Sequence, residues 1–336
     1  MEQAEEFIKK SLSTKAVLEP LPQSGSARKN YLVLDQQRKY ILTVNENLEE
    51  NESFLYFSEL FQKLELNTPK IIKVSKDRRM YLQQYLGDQT LFETLTKDSE
   101  NQDVENLLKT VLDQLYELQY KTQGQVDYGK TFEYEKYDEL PILNDLNYFK
   151  FFILDLLELP YHKSRLLTEF RALSRIIEHL HPRGIMIRDF QSRNIMIDSL
   201  GQSHFIDYQS AMHGPLLYDV ISFLYQARAP FPTKLKKTML DYYIAKHPKA
   251  EIRKSLREAV MPLRLIRGLQ VLGAYGLRGL VQRKPHFQNS LKLGIKQVFL
   301  LSKQWKGMEQ FPELSQVIHE LGQKSTKVKI DQILKS

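Results

Sequence analysis

The chain of 336 residues contains no cysteine and only one tryptophan. Without cysteine, disulfide bonds, thiolate metal sites and a cysteine nucleophile are excluded, and a reducing compartment fits. Long apolar runs are also missing, because the most apolar segment, FFILDLLELP, is interrupted by Asp155 and Glu158 and is too short to span a bilayer. The N-terminal MEQAEEFIKK is acidic and amphipathic, unlike a signal peptide. We therefore expect a cytoplasmic protein with no membrane partner.

The composition is that of a globular protein with a surplus of positive charge. Hydrophobic residues make up 42% of the chain and aromatic residues 11%, which argues against wholesale disorder. The formal net charge is +7, from 48 basic and 41 acidic residues, and this favours anionic partners. The basic residues are dispersed, and no basic stripe with interleaved aromatic residues occurs. Nucleic acid is therefore not an expected partner.

The first part of the chain has the pattern of a small antiparallel sheet that carries one helix. Four strand-like runs occur, in the order NYLVLD, KYILTV, KIIKVS and MYLQQYL. The first two alternate apolar and polar residues around the turn-forming DQQR, which predicts a hairpin. A helical stretch, ESFLYFSELFQKL, separates the second run from the third.

After residue 87 the pattern becomes mainly helical. ENLLKTVLDQLYELQY and SRLLTEFRALSRIIEHL each place their apolar residues on one helical face. Short strand-like pieces lie between Ile185 and Asp207, and helical periodicity continues after Gly214 almost to the end. The sequence therefore predicts an α+β protein. Residues 1–87 are expected to form a β-rich lobe, and residues 88–336 a larger helical lobe.

Three polar residues between the apolar pieces have the chemistry that phosphoryl transfer needs. Asp189 and Asn194 lie on a loop after a strong helix, and Asp207 ends the apolar piece SHFI. One carboxylate can orient an acceptor hydroxyl and take its proton, while an amide oxygen and a second carboxylate hold Mg²⁺. Asp and Asn are also common in ordinary turns, so this loop alone does not identify a site.

The same residues resemble the motifs of kinase-like folds. Arg188 and Asp189, with Asn194 five residues later, resemble the catalytic loop, and Ile206-Asp207-Tyr208 resembles the metal-binding Asp-Phe-Gly segment. The segment GPLLYD that follows is similar to one found in the aminoglycoside phosphotransferase/choline kinase superfamily. Because these motifs occur together in the expected order, we interpret the loop of Asp189 and Asn194 as part of an active site rather than as a simple turn.

Three longer segments narrow the resemblance further. LGDQTLFETL, FIDYQSAMHGPLLYDVISFLYQ and RLIRGLQVLGAYGLRGLVQRKPHFQNSL are similar to the bacterial anomeric kinases of N-acetylmuramate and N-acetylglucosamine. The likeness covers residues from about 20 to 300 and leaves the end of the chain unmatched.

The resemblance implies a bilobal protein-kinase-like fold that binds ATP and Mg²⁺. Residues 1–87 would be the nucleotide-binding lobe, and residues 88–336 would carry the catalytic loop and the substrate site. Asp189 would position the acceptor hydroxyl, Asn194 and Asp207 would bind the metal, and Asp219 would brace the catalytic loop. Arg193 lies within that loop and is the leading candidate for a contact with the sugar. Further sugar-contact candidates are Asp145, Arg264, Arg267 and Gln270.

The chain departs from the family pattern at three places. Ile187 replaces the usual histidine before Arg188, which we interpret as a packing position. Thr43 stands where kinase-like folds carry a lysine that holds the α- and β-phosphates. The loop QSGSARKNY has one glycine in place of a glycine-rich pattern. Ser24, Gly25 and Ser26 could still cover phosphates, and Arg28 or Lys29 could supply the missing charge.

The adenine base would lie against a hinge formed by Gln84, Tyr85 and Leu86, whose backbone groups would bind it.

The expected function is transfer of the γ-phosphate of ATP to a sugar hydroxyl, in particular the anomeric 1-hydroxyl of an N-acetylated amino sugar in cell-wall recycling. The alternatives are a kinase of another small alcohol or of an aminoglycoside, and a pseudokinase that only binds. We expect a monomer.

Overall fold

The alternating runs in the first part of the chain form a five-stranded antiparallel sheet. The computed structural model describes residues 2–22, 27–97, 103–226 and 231–335. The strands of this sheet are β1 (Val17–Pro20), β2 (Lys29–Asp35), β3 (Arg38–Val44), β4 (Ile71–Val74) and β5 (Met80–Gln84), in the spatial order β1-β2-β3-β5-β4. The hairpin predicted from the sequence, β2 with β3, is confirmed, and the later strand-like runs β4 and β5 also form an antiparallel pair.

Five further short strands lie in the described part of the chain. These are β6 (Gln89–Thr90), β7 (Arg183–Met186), β8 (Ile195–Ile197), β9 (Ser203–Phe205) and β10 (Met212–Pro215). Strands β6, β8 and β9 form a three-stranded sheet, and β7 pairs with β10.

The remaining chain is mostly helical, as the apolar periodicity predicts. The α-helices are α1 (Glu2–Ser11), α2 (Leu48–Lys63), α3 (Leu91–Lys97), α4 (Asp103–Lys121), α5 (Glu139–Phe149), α6 (Lys163–Glu178), α7 (Leu217–Leu224), α8 (Thr233–Ala245), α9 (Ala250–Tyr275), α10 (Pro285–Gln304), α11 (Pro312–Leu321) and α12 (Lys324–Lys335). Single turns of 3₁₀-helix lie at Tyr128–Lys130, Ser192–Asn194 and Lys306–Gln310, and π-helical turns at Lys150–Asp155 and Gly276–Val281. The α+β class is confirmed.

Contacts between residues divide the chain into two compact units. The first contains Met1–Glu135 and Ile187–Met212, and the second contains Lys136–Met186 and His213–Ser336. The first unit therefore includes both segments that carry Asp189, Asn194 and Asp207. This division differs from the lobe boundary predicted near residue 87, which stays a prediction.

The core of the first unit lies on the two faces of the five-stranded sheet. On one face, α1 packs Ile8 against Val33 and Leu42. Helix α1 and strand β1 were not predicted from the sequence, because both segments are short and contain few apolar residues. Helix α2 begins at the cap residue Asn47, whose side chain accepts a hydrogen bond from the Glu50 backbone N–H at 3.1 Å.

The second unit is built from α5 to α12. The longest helix, α9, packs against α5, α7 and α10, and its side chains at Leu265, Ile266 and Leu269 are fully buried. Within the described residues, no helix is long and apolar enough to cross a membrane.

We predict that His247, in the second unit after α8, makes the stability of the protein depend on pH. Its side chain is 7% exposed, and burial lowers its pKa from 6.5 to about 4. Between these pH values the unfolded chain binds a proton that the folded chain does not, so the free energy of unfolding falls as the pH falls. We expect His247→Gln to recover roughly 1–3 kcal/mol of the stability lost between pH 7 and pH 4.

The measurement is urea denaturation of the wild type and of His247→Gln at several pH values. His319→Gln is a suitable control, because His319 is exposed on α11. Equal pH dependence in the wild type and in His247→Gln would contradict a neutral, buried His247.

Candidate active site

The loop after β7 holds Asp189 in a tight backbone turn. The Asp189 N–H donates to the Ile187 carbonyl at 2.9 Å, and the Asn194 N–H donates to the Gln191 carbonyl at 2.8 Å. Arg188 has a φ of 72°, a left-handed conformation that is strained for a side chain of this size. Ile187 is 1% exposed, which agrees with its interpretation as a packing residue. The loop is therefore fixed on both sides of the Asp189 carboxylate.

Asn194 connects the two segments that the sequence placed in the site. Its Nδ2 donates to the backbone carbonyl of Asp189 at 2.9 Å and to Oδ2 of Asp207 at 3.3 Å. The Asn194 carbonyl also accepts from the Ile206 N–H at 3.0 Å. The structure thus brings Asp189, Asn194 and Asp207 together within the first unit.

Asp207 adopts a strained conformation and is held by three donors. Its φ is 64°, in the left-handed region that aspartate tolerates better than most residues. Gln209 Nε2 donates to its Oδ1 at 3.1 Å, and the guanidinium of Arg28 donates to the same oxygen. Together with Asn194, these contacts fix the direction of the carboxylate.

Tyr208 anchors Asp207 to helix α2. Its fully buried ring stacks on Phe54, with centroids 4.9 Å apart, and meets the edge of Phe61 at 5.1 Å. The Tyr208 hydroxyl and the Ser58 hydroxyl share a hydrogen bond of 2.8 Å, and burial raises the pKa of Tyr208. Ser53 Oγ donates to the Gln209 carbonyl at 2.8 Å. The packing of α2 therefore stabilises the strained backbone at Asp207.

Arg28 places a buried positive charge beside Asp207. Its guanidinium forms an ion pair with Asp207, and its Nε lies 3.4 Å from Oε1 of Glu50 on α2. Burial favours the neutral form of Arg28, but Asp207, Tyr81 and Glu50 outweigh burial, so its pKa is raised. Glu50 is held in turn by Asn45 Nδ2 at 2.8 Å. Of the two basic residues proposed from the sequence, Arg28 rather than exposed Lys29 meets these carboxylates.

Thr43 occupies a closed, neutral site on β3. It is 1% exposed, its Oγ1 donates to Asn30 Oδ1 at 2.8 Å, and Gln83 Nε2 donates to it at 3.1 Å. The position that would hold a phosphate-binding lysine is thus filled by polar side chains that satisfy one another. The nearby Tyr81 is 1% exposed, and burial raises its pKa to about 12.

The predicted hinge follows directly after the sheet. Gln84 is the last residue of β5 paired with β3, so Tyr85 and Leu86 lie just beyond the ladder. Gly87 then has a φ of 115°, and a Cβ there would lie 2.9 Å from the Ile197 carbonyl. Only glycine fits here, because the backbone at Gly87 passes so close to β8.

The other predicted site residues have different outcomes. Ser24, Gly25 and Ser26 lie outside the described residues. The side chain of Arg193 is exposed in its 3₁₀ turn and forms no hydrogen bond or ion pair with the described part of the chain, so its role stays a prediction.

The sequence analysis did not identify Glu50 and Gln209 as residues of the site. Glu50 could have been found from its place in the first turn of the helix after β3.

In the second unit, several of the sugar-contact candidates are used internally. Buried Asp145 accepts a hydrogen bond from the Tyr137 hydroxyl at 2.8 Å. Buried Arg267 donates to Gln270. Arg264 is different, because it lies half-buried over the ring of Tyr225. Asp219 is fully buried in the first turn of α7, and its proposed contact with the catalytic loop stays a prediction.

The side chains of Asn194 and Asp207 suit Mg²⁺ better than they suit a metal ion that protein ligands must surround completely. The two side chains are in contact through Asn194 Nδ2 and Asp207 Oδ2, and each carries an oxygen that is a hard ligand. Among residues 2–22, 27–97, 103–226 and 231–335, no cluster of three or more His, Asp or Glu side chains could hold a metal ion. Mg²⁺ suits such a site, because it completes its coordination with water and substrate phosphates.

Comparison with known proteins gives a consistent family assignment. The profile of the phosphotransferase enzyme family matches residues 17–254. A relative from Neisseria meningitidis serogroup B, an N-acetylmuramate/N-acetylglucosamine kinase, is 25% identical over 179 residues, which are 52% of this chain and 50% of the relative. The match thus spans half the length of that curated relative.

Solved structures share the fold at low identity. A thermostable mutant of aminoglycoside phosphotransferase APH(4)-Ia, in ternary complex with AMP-PNP and hygromycin B, is 18% identical with a TM-score of 0.60 and covers 91% of this chain and 100% of its own. Choline kinase LicA from Streptococcus pneumoniae is 16% identical with a TM-score of 0.60 and covers 88% of this chain and 99% of its own. These similarities confirm the predicted protein-kinase-like fold.

We predict that Arg28→Met lowers the free energy of unfolding by about 1–3 kcal/mol. The substitution leaves Asp207 and Glu50 without the cation between them, and part of this cost is screened because Asp207 is partly exposed. Chemical denaturation measures the effect. Arg78→Met is the matched control, because Arg78 also pairs with a glutamate of α2, Glu52. That pair lies at the surface, where an ion pair contributes less than about 1 kcal/mol. Equal losses in both variants would contradict the buried role of Arg28.

Proposed function

Because the chain belongs to the phosphotransferase enzyme family, we propose that it transfers the γ-phosphate of ATP to a sugar hydroxyl. The proposed acceptor is the anomeric 1-hydroxyl of an N-acetylated amino sugar, either N-acetylmuramate or N-acetylglucosamine. The observation that carries the proposal is the convergence of Asp189, Asn194 and Asp207 within one hydrogen-bonded cluster.

The proposed chemistry assigns one role to each of these residues. Asp189 accepts a hydrogen bond from the acceptor hydroxyl, aligns it with the γ-phosphorus and takes its proton as the new O–P bond forms. Asn194 and Asp207 hold Mg²⁺. When bound, that ion neutralises the negative charge that builds up on the phosphates. The backbone turn at Asp189 keeps the carboxylate in place, so that positioning supplies a large part of the rate.

Arg28 replaces the lysine that β3 lacks. Its guanidinium forms ion pairs with Asp207 and with Glu50 of α2, so a positive charge lies beside the carboxylate that is proposed to bind the metal. A guanidinium can hold a carboxylate and a phosphate oxygen at the same time, since its donors point in several directions. Gln84, Tyr85 and Leu86 form the proposed hinge for adenine, and Ser24, Gly25 and Ser26 the proposed phosphate loop.

The identity of the acceptor is supported by sequence rather than by fold. The relative with amino-sugar kinase activity in its name matches 179 residues of this chain at 25% identity. The solved structures, which include kinases of choline and of an aminoglycoside, are 18% identical or less and support only the fold and the use of ATP. A kinase for a cationic alcohol or aminoglycoside is the alternative, and it requires carboxylates around the acceptor.

A pseudokinase is the second alternative, and Thr43 is the observation that favours it. A chain without the strand lysine loses a phosphate contact, and the neutral site around Thr43 leaves no room for a charge. Arg28 weighs against this alternative, since it keeps a positive charge beside Asp207.

We predict that Asp189→Asn lowers kcat by at least roughly 10²–10⁴-fold, the range for a positioned general base. The amide keeps the shape of the side chain but cannot take the proton. Steady-state ADP release measures the effect, with Asp241→Asn on the exposed face of α8 as the control for a lost surface charge. Unchanged turnover in Asp189→Asn would remove this residue from the mechanism.

We expect an acceptor screen to identify an N-acetylated hexosamine. The screen follows radiolabelled phosphate from ATP to N-acetylmuramate, N-acetylglucosamine, hygromycin B and choline. A product hydrolysed by mild acid carries its phosphate on the anomeric carbon, since glycosyl phosphates are more acid-labile than other sugar phosphates. Transfer only to choline or hygromycin B favours the first alternative, and ATP binding without any transfer favours the pseudokinase.

A further inference from the structure

Two long stretches of the second unit contain basic residues but no acid. Residues 220–240 contain Arg228, Lys234, Lys236 and Lys237, and residues 259–308 contain nine further lysine and arginine residues, with no Asp or Glu in either stretch. The first stretch includes α7 after Asp219 and the start of α8, and the second includes most of α9 and all of α10. Helices of a soluble domain usually alternate charges of both signs, because opposite charges three or four residues apart stabilise them.

The two stretches meet at the ring of Tyr225, which follows α7. The guanidinium carbon of Arg264 on α9 lies 4.3 Å from the centre of this ring, and Nζ of Lys236 on α8 lies 5.9 Å from it. All three side chains are half-buried. Burial lowers the pKa of Arg264 and of Lys236, and the charge of Arg264 lowers the pKa of Lys236 further.

No carboxylate in the described part of the chain forms an ion pair with Lys236 or Arg264. The polar contact of Arg264 is a weak one, from Nη1 to the Met261 sulfur at 3.7 Å. Other buried arginines of this unit donate to oxygen, as Arg267 does to Gln270 and Arg253 does to the His247 carbonyl at 2.7 Å. The segment between Gln226 and Phe231 adds no acid either, since its sequence is ARAP.

This arrangement is costly for a purely structural cluster. Two like charges that are partly removed from water repel each other, and the face of one tyrosine ring offsets only part of that cost. An oxyanion between them would offset the rest, because it would receive hydrogen bonds from the ammonium and the guanidinium. The Tyr225 hydroxyl can donate a further hydrogen bond, since burial and the charge of Asp241 raise its pKa.

We propose that Lys236, Arg264 and Tyr225 form a binding site for an oxyanion, either the carboxylate of a sugar acid or a phosphate group. The site lies entirely in the second unit, whereas Asp189, Asn194 and Asp207 belong to the first. A carboxylate or a phosphate presents two or more oxygens, which matches the fork of Arg264 and the single charge of Lys236.

Isothermal titration calorimetry without ATP tests the site independently of phosphoryl transfer. The probes are inorganic phosphate, N-acetylmuramate, which carries a carboxylate, and N-acetylglucosamine, which is neutral. We expect at least one of the anions to bind the wild type, and Lys236→Met and Arg264→Met to weaken that binding roughly 10- to 100-fold, the loss expected for one charged hydrogen bond. Weakening confined to N-acetylmuramate assigns the site to a carboxylate, and weakening confined to phosphate assigns it to a phosphate.

Lys237→Met is the matched control, because it removes the same charge one residue along α8 from an exposed position. Arg264→Lys keeps the positive charge and should therefore retain more affinity for the anion than Arg264→Met. Comparing the two variants separates the effect of the charge from the effect of packing on Tyr225. The proposal is wrong if neither anion binds the wild type. It is also wrong if Lys236→Met and Arg264→Met lose no more affinity than Lys237→Met.

Discussion

A stack of three aromatic rings connects the parts of the candidate active site. Tyr81 of β5 stacks on Phe54 of α2 at 4.9 Å, and Phe54 stacks on Tyr208 at the same distance. The stack therefore joins the sheet, the helix and the residue next to Asp207. Aromatic pairs add about 0.5–1.5 kcal/mol each beyond their burial, which is comparable with the cost of the left-handed backbone at Asp207. This packing therefore supports the backbone at Asp207, while Asn194, Gln209 and Arg28 hold its carboxylate.

The electrostatics of the site follow from the same stack. Tyr81 lies next to Arg28 as well as Phe54, so the buried rings also remove water from the pairs of Arg28 with Asp207 and Glu50. In this environment a cation is stable only beside carboxylates, and the carboxylates are stable only beside a cation. The position of the positive charge thus depends on where the two acids are fixed, and α2 fixes Glu50. Arg28, directly before β2, pairs with both of these acids.

The sequence predicted those features that depend on neighbouring residues. The strand-like runs predicted β2 to β5, and the resemblance of the segments around Asp189, Asn194 and Asp207 to kinase motifs predicted that these residues would meet. The partner of Arg28 could not be predicted in the same way, because Asp207 is 179 residues away and the choice between Arg28 and Lys29 depends on the path of the chain. Strand β1 was missed since its four residues are largely exposed and do not alternate. Gly87 could be interpreted only once β8 was seen beside it.

The fold and the acceptor depend on different parts of the chain. The kinase-like fold is shared at 16–18% identity with enzymes whose names give different acceptors, so the backbone does not determine the acceptor. The charges of the helical unit are a better indicator, because an unpaired charge near a ligand changes its affinity more than a neutral contact does. Here two cations, Lys236 and Arg264, lie over the ring of Tyr225, and the exposed Asp241 of α8 is an acid whose charge also reaches this tyrosine. Neither α10 nor the part of α9 after Glu258 supplies a carboxylate. A site of this composition repels a cationic ligand and attracts an anionic one, whichever small molecule the chain phosphorylates.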